Sequence, residues 1–185
     1  MESKKYEFTG VTKETWAGTL HQIRAIRDFG NVKAGDIGGW IEKEENLSHD
    51  GDCWVYGDAE VCENAVVYGD AEVHGNARVF RYARVYGDAE VFGDARVYEN
   101  AEVFGDARVC RDAKVTTTVK TFGNAFIYEI TVTDNHIKIG CQQHLKNEWK
   151  DFEDRKIIEM DGKKALEFWG MFKPVLESLG LFEEV

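Results

Sequence analysis

From Gly51 onward the pattern of apolar and polar positions repeats every six residues: a glycine or charged residue, an Asp or Asn, a small apolar residue, a polar residue, a valine and an aromatic or polar residue. The units read GDCWVY, GDAEVC, ENAVVY, GDAEVH, GNARVF, RYARVY, GDAEVF, GDARVY, ENAEVF, GDARVC, RDAKVT, TTVKTF and GNAFIY, 13 hexads with no insertion. Two preceding units, GWIEKE and ENLSHD, keep the frame with Ile41 and Leu47 in the third position, so 15 hexads run over Gly39–Tyr128. Alternation of period two turns the third and fifth residues to the same face of a short strand and sends the fourth to solvent. The Gly-Asp, Glu-Asn or Gly-Asn pair supplies the corner, because these residues tolerate left-handed backbone geometry. A strand this short cannot bury two inward residues alone, so the units must stack as a solenoid in which each coil covers its neighbour.

These hexads resemble the hexapeptide-repeat, left-handed parallel β-helix superfamily, whose triangular coil takes three hexads. Val61, Val67, Val73, Val79, Val85, Val91, Val97, Val103, Val109 and Val115 fall where that family keeps its inward aliphatic residue, and the alanines from Ala59 to Ala113 where it keeps its small one. The resemblance implies a mainly β protein with about five coils of 18 residues. The stretch NVKAGDIGGWIEKEENLSHDGDCWVYGDAEV is similar to uncharacterised solenoids of the YdcK type and to solenoids carried by phages and prophages.

The flanks read as caps over raw strand edges. Residues 1–38 form a β-rich N-terminal cap with a strand over Thr19–Phe29, residues 39–128 the repeat array, and residues 129–185 a C-terminal cap. Within the latter, Phe126–Thr133 and His136–Cys141 flank Asp134 and Asn135 as a hairpin, and apolar spacing predicts helices over Leu145–Phe152 and Ala165–Leu179, with a kink at Pro174.

Composition narrows the function classes. The chain of 185 residues has room for one elongated domain with small caps, and its 18 glycines against 1 proline fit many tight corners. A formal charge of −11 argues against direct nucleic-acid binding. No apolar run approaches the length of a membrane span and the first residues are polar, so a cytoplasmic protein is expected. The four cysteines show neither CxxC nor zinc-finger spacing and read as free thiols, and no metal site is signalled.

With 18 residues per coil, side chains 18 apart fall into columns. Tyr68, Tyr86, Phe104 and Phe122 form one; Tyr56, His74, Phe92, Cys110 and Tyr128 a second; Cys62, Phe80, Tyr98 and Thr116 a third. Glu60 meets Arg78, Arg84 meets Glu102 and then Lys120, and Glu90 meets Arg108, as ion pairs between coils. Asp70, Asp88 and Asp106 stack at one corner, readable as well-solvated corner formers, as a cation site or as an acidic docking strip. The candidate binding residues are therefore Asp70, Asp88 and Asp106, the neighbouring Glu72 and Glu90, and the aromatic column of Tyr68, Tyr86 and Phe104.

Two functional classes compete, with a structural scaffold that self-associates through its aromatic columns as a third. The main reading is a non-enzymatic, acidic protein-interaction module without a cofactor, binding a protein with a basic surface; its narrower form, suggested by the phage-borne solenoids, inhibits a host nucleic-acid-handling defence protein. The superfamily resemblance implies the alternative, a CoA-dependent acyltransferase: a homotrimer holding the acyl-CoA between neighbouring columns, with a histidine as general base; under any reading a homo-oligomer, trimer or dimer, is a possible state. His74, the sole histidine in the uninterrupted array, is the candidate, although it also reads as a substitute aromatic, and no hexad extrudes the acceptor-pocket loop common in family enzymes. His136, Cys141, His144 and Glu148 form a weaker cluster that helical spacing would bring together.

Overall fold

The structure, a computed structural model, describes residues 4–122, of Phe122 only the backbone, and residues 127–183. Its contacts divide the chain into two units, residues 1–119 and 120–185.

The first unit is a parallel β-solenoid. An antiparallel hairpin of β1 (Tyr6–Thr15) and β2 (Gly18–Ala25) precedes β3 (Ile37–Ile41), and eleven two-residue strands follow at six-residue intervals, from β4 (Trp54–Val55) to β14 (Lys114–Val115). Each pairs in parallel with the strand 18 residues away, for example Glu60 with Arg78, Trp54 with Glu72 and Val66 with Arg84, which makes three ladders and about four turns. The third and fifth positions of the hexads from Ala59 to Val115 are at most 1% exposed, so the Ala/Val alternation is the core itself. The N-terminal hairpin extends one of these ladders: β2 pairs antiparallel with β3, which pairs parallel with Glu60–Val61. It covers the strand edge that would otherwise template aggregation.

The first turn corrects the expected frame. Ile41 lies opposite Val61 and Leu47 opposite Val67, 20 residues away rather than 18. Both therefore occupy the fifth position, not the third. Gly39 takes the small third position, where an added Cβ would stand 2.8 Å from the Ala59 carbonyl oxygen and from a Val55 methyl. The two extra residues fall between Leu47 and Val55, and this widened loop is held from beneath. Lys5, fully buried, donates from Nζ to the carbonyl oxygens of Cys53 (2.8 Å) and Gly51 (3.1 Å) and to Cys53 Sγ (3.2 Å). The buried Tyr6 hydroxyl donates to the Leu47 carbonyl at 2.9 Å.

The far end of the array also departs from expectation. Lys114–Val115 is the last parallel rung; Val119 still donates its N–H to Glu102 at 2.9 Å, but β15 (Lys120–Phe122) pairs antiparallel with β16 (Ile130–Val132). The twelfth hexad has lost the corner residues, reading TTV in place of GDA, and the thirteenth falls largely on residues 123–126, outside the described ones. Hence the turns number about four where five were expected, and Lys120 does not extend the Arg84–Glu102 ladder.

In the second unit β16 and β17 (His136–Ile139) form the expected hairpin, and a further strand, β18 (Gln142–Leu145), completes an antiparallel sheet of order β15-β16-β17-β18. Helices α1 (Lys146–Asp151) and α2 (Asp154–Ser178) follow. The interruption in α2 is at Asp161 and Gly162 (φ +67°) and not at Pro174, which sits within the helical stretch. Pro174 has no N–H to donate to the Gly170 carbonyl, yet the helix continues through it to Ser178. Trp149, Phe168, Trp169, Phe172 and Leu176 pack with Ile130 and Ile137 as this unit's own core.

Candidate functional site

The hexad places the candidate residues along one corner of the solenoid and the face that follows it. Reading along the chain, Tyr68, Tyr86 and Phe104 end one ladder; the Gly69-Asp70, Gly87-Asp88 and Gly105-Asp106 corners come next; Glu72 and Glu90 then begin the adjoining ladder, and His74 and Phe92 end it.

The aromatic columns form as the spacing predicts over Tyr68 to Phe104, Tyr56 to Phe92 and Phe80 to Tyr98, while the Phe122 side chain lies outside the described residues and Tyr128 packs against Phe168. Tyr68 stacks on Tyr86 with ring centroids 4.8 Å apart and Tyr86 on Phe104 at 5.5 Å. Phe80 stacks on Tyr98 at 5.0 Å, and His74 on Phe92 at 5.0 Å with planes 6° apart. Stacking covers the ring faces, so these side chains are half-buried rather than open apolar stripes.

The charges on the faces are paired between rungs. Glu90 meets Arg108 at 2.7 Å, Glu60 meets Arg78 at 3.4 Å and Lys13 at 2.9 Å, and Glu102 meets Arg84 at 3.7 Å. Glu72 and Glu90 are direct cross-strand neighbours, a like-charge contact offset by Arg108 beside Glu90 and by the Tyr56 hydroxyl, which donates to Glu72 at 3.3 Å. Burial, with Glu72 alongside, pushes the Tyr56 phenol up to about 12. A second ladder escaped the column reading: Glu63, Arg81 and Glu99 stand at the glycine-free corner with φ of 56°, 62° and 60°. Arg81 accepts no glycine's freedom there, yet its N–H reaches the Glu63 carboxylate at 2.7 Å and its guanidinium pairs with Glu99.

Asp70, Asp88 and Asp106 are exposed. Asp70 accepts the Asp52 N–H at 2.9 Å, stapling its rung to the one below, whereas Asp88 and Asp106 have no such partner among the described residues. Among the described residues no three His, Cys, Asp or Glu side chains gather closely enough to hold a metal ion.

His74 lies in the column of Tyr56 and Phe92, edge-on to Tyr56 at 6.3 Å. Stacking engages the ring faces and leaves both nitrogens at the edge; among the described residues neither makes a hydrogen bond. The imidazole is thus held by its ring face against Phe92, with neither ring nitrogen hydrogen-bonded among the described residues.

Of the C-terminal cluster, the structure brings His144 and Glu148 together. Cys141 to Leu145 is a turn and strand rather than a helix, so the spacing of three from Cys141 to His144 does not place them on a common helical face. His144 pairs with Glu148 at 3.6 Å and packs edge-on against Trp149 and Phe152 at 5.3 and 4.9 Å. His136 is buried in β17 while Cys141 is exposed. All four cysteines are free thiols. No helix among the described residues is long and apolar enough to cross a membrane.

No family model matches the chain. It is 40% identical over 63 residues to a protein of Escherichia coli K12 described as the uncharacterised acetyltransferase YdcK, a match covering 34% of this chain and 17% of that protein. The chain thus spans less than a fifth of that relative's length, and the match carries nothing toward the inhibition of a host defence protein. The hexad repeat and the parallel stacked coils are consistent with the hexapeptide-repeat β-helix fold.

Proposed function

We propose that the chain is the solenoid of an acyl-CoA-dependent acyltransferase in which His74 is the general base. The observation that carries this reading is the state of that imidazole: fixed by an aromatic column, with both ring nitrogens free of hydrogen bonds among the described residues. The likeness to a relative described as an acetyltransferase supports the reaction class. In the reaction, a neutral His74 nitrogen takes the proton from an acceptor hydroxyl or amine as that group attacks the thioester carbonyl. The tetrahedral intermediate collapses with loss of the CoA sulfur, which receives the proton from the imidazolium. In this proposal the donor lies between neighbouring copies of the column, so an oligomer is part of it.

The test uses His74→Phe, which keeps an aromatic ring in the column and removes the base. Wild-type protein should be stabilised by acetyl-CoA in a thermal shift and release free CoA thiol with a suitable hydroxyl or amine acceptor. His74→Phe should retain the folded state's melting temperature and lose roughly 100-fold or more of turnover. A wild-type protein that ignores acetyl-CoA in both assays would sink the proposal.

A second reading rests on Asp88 and Asp106, exposed and unpartnered among the described residues at a corner flanked by Glu72 and Glu90, in a chain of net charge −11. It makes this corner a rigid acidic strip for a basic protein partner. Polylysine binding that weakens with salt and falls in Asp88→Asn/Asp106→Asn supports it; binding unchanged by the double substitution removes it.

A further inference from the structure

The second unit contains a cavity of about 230 Å³ in which no role has been placed. Its floor is core: Trp149, Ala165, Phe168 and Trp169 line it and are each at most 8% exposed. Its rim is polar, with Tyr128, Cys141 and Asp161 at the mouth. The break in α2 produces this arrangement. Asp161 leaves the helical conformation (φ −155°) and its carboxylate receives the Tyr128 hydroxyl at 2.5 Å, while the helix resumes beyond Gly162 to present Ala165, Phe168 and Trp169 to the cavity.

Size and lining define the occupant. A cavity of roughly 150 Å³ already admits a benzene ring, so this one has room for two fused rings. Trp149 and Trp169 line it with aromatic rings, and the Met160 thioether, also on the lining, favours contact with an aromatic ring over an aliphatic chain. At the rim, Asp161 has one carboxylate oxygen engaged by Tyr128 and the other with no protein donor among the described residues. A ring inserted against the tryptophans can therefore satisfy that oxygen with an N–H or O–H at its edge.

We propose that this cavity is a binding site for a neutral bicyclic aromatic ligand whose single N–H or O–H donates to Asp161. The site is independent of His74 and of acyl transfer. Burial and the Asp161 contact raise the Tyr128 phenol to about 12, so the rim keeps its hydrogen-bonded form throughout the neutral range.

The chain's three methionines, Met1, Met160 and Met171, give the readout, because Met160 lines the cavity and Met171 is 70% exposed on the helix surface. With methyl-¹³C-methionine in the full chain, titration with indole should shift the Met160 methyl resonance saturably, with half-saturation below about 1 mM, and leave Met171 in place. The isostere 1-methylindole, which has no donor, should bind at least about tenfold more weakly. Cys141, exposed at the rim while the other three thiols are buried, should alkylate more slowly with iodoacetamide as indole fills the site. Linear, equal movement of both methyl resonances, equal binding of 1-methylindole, or an unchanged Cys141 rate would each overturn the proposal.

Discussion

At the scale of single residues, the corners show two ways of occupying left-handed geometry. Gly69 (φ +72°) could not accept a Cβ without bringing it to 2.9 Å from the Gly87 backbone nitrogen, whereas a Cβ on Gly105 (φ +61°) meets nothing within 4 Å. Gly69→Ala should therefore cost about 2–3 kcal/mol in urea unfolding and Gly105→Ala only about 1 kcal/mol, the penalty of the backbone conformation alone. The thiols give a pH prediction. Burial, with Glu63 and Glu42 nearby, pushes Cys62 from the usual 9.0 up to about 12, and Tyr56 rises from 10.0 to about 12. The folded state holds these protons more tightly than the unfolded chain, so their contribution is complete below pH 9 and is lost as the pH rises from 9 to about 12. Stability measured by urea titration should fall across that window, and Cys62→Ala should make the fall shallower.

At the scale of the element, the rung gains its stability from neighbours above and below. Tyr86 is stacked on both sides, by Tyr68 and Phe104, while Tyr82 at the preceding corner is 62% exposed. Tyr86→Ala should cost about 2 kcal/mol and Tyr82→Ala less than about 0.5 kcal/mol, a contrast that chemical denaturation resolves. The widened first turn depends in the same way on Lys5. Burial lowers the Lys5 pKa, yet its ammonium answers two carbonyls and the Cys53 sulfur, so Lys5→Met would leave those carbonyls without their donor. A loss of about 2–4 kcal/mol is expected.

At the scale of the whole molecule, each unit has its own hydrophobic cluster, one of stacked Ala and Val, the other built around Trp149, Trp169 and Phe172. Scanning calorimetry should resolve more than one unfolding transition. Val97→Ala, which opens a hole in the first cluster only, should lower one transition and leave the other in place, at a cost of about 2 kcal/mol to the unit concerned.

What the sequence determined by itself is the part whose physics repeats. Ala59 to Val115 return every six residues, and any error in stacking them would expose every inward side chain at once, so columns such as Tyr68–Tyr86–Phe104 and pairs such as Glu90–Arg108 could be read from spacing alone. The tertiary structure decided what occurs once. Ile41 and Leu47 moved to the fifth position because only Gly39 fits beside the Ala59 carbonyl, an approach of backbone to backbone that no composition reveals. The helix broke at Asp161–Gly162, where the Asp161 carboxylate receives the hydroxyl of Tyr128, 33 residues away, and not at Pro174. His74 was legible as a member of a column, but its free nitrogens and the cavity behind Asp161 belong to single contacts, and single contacts leave no period in the chain.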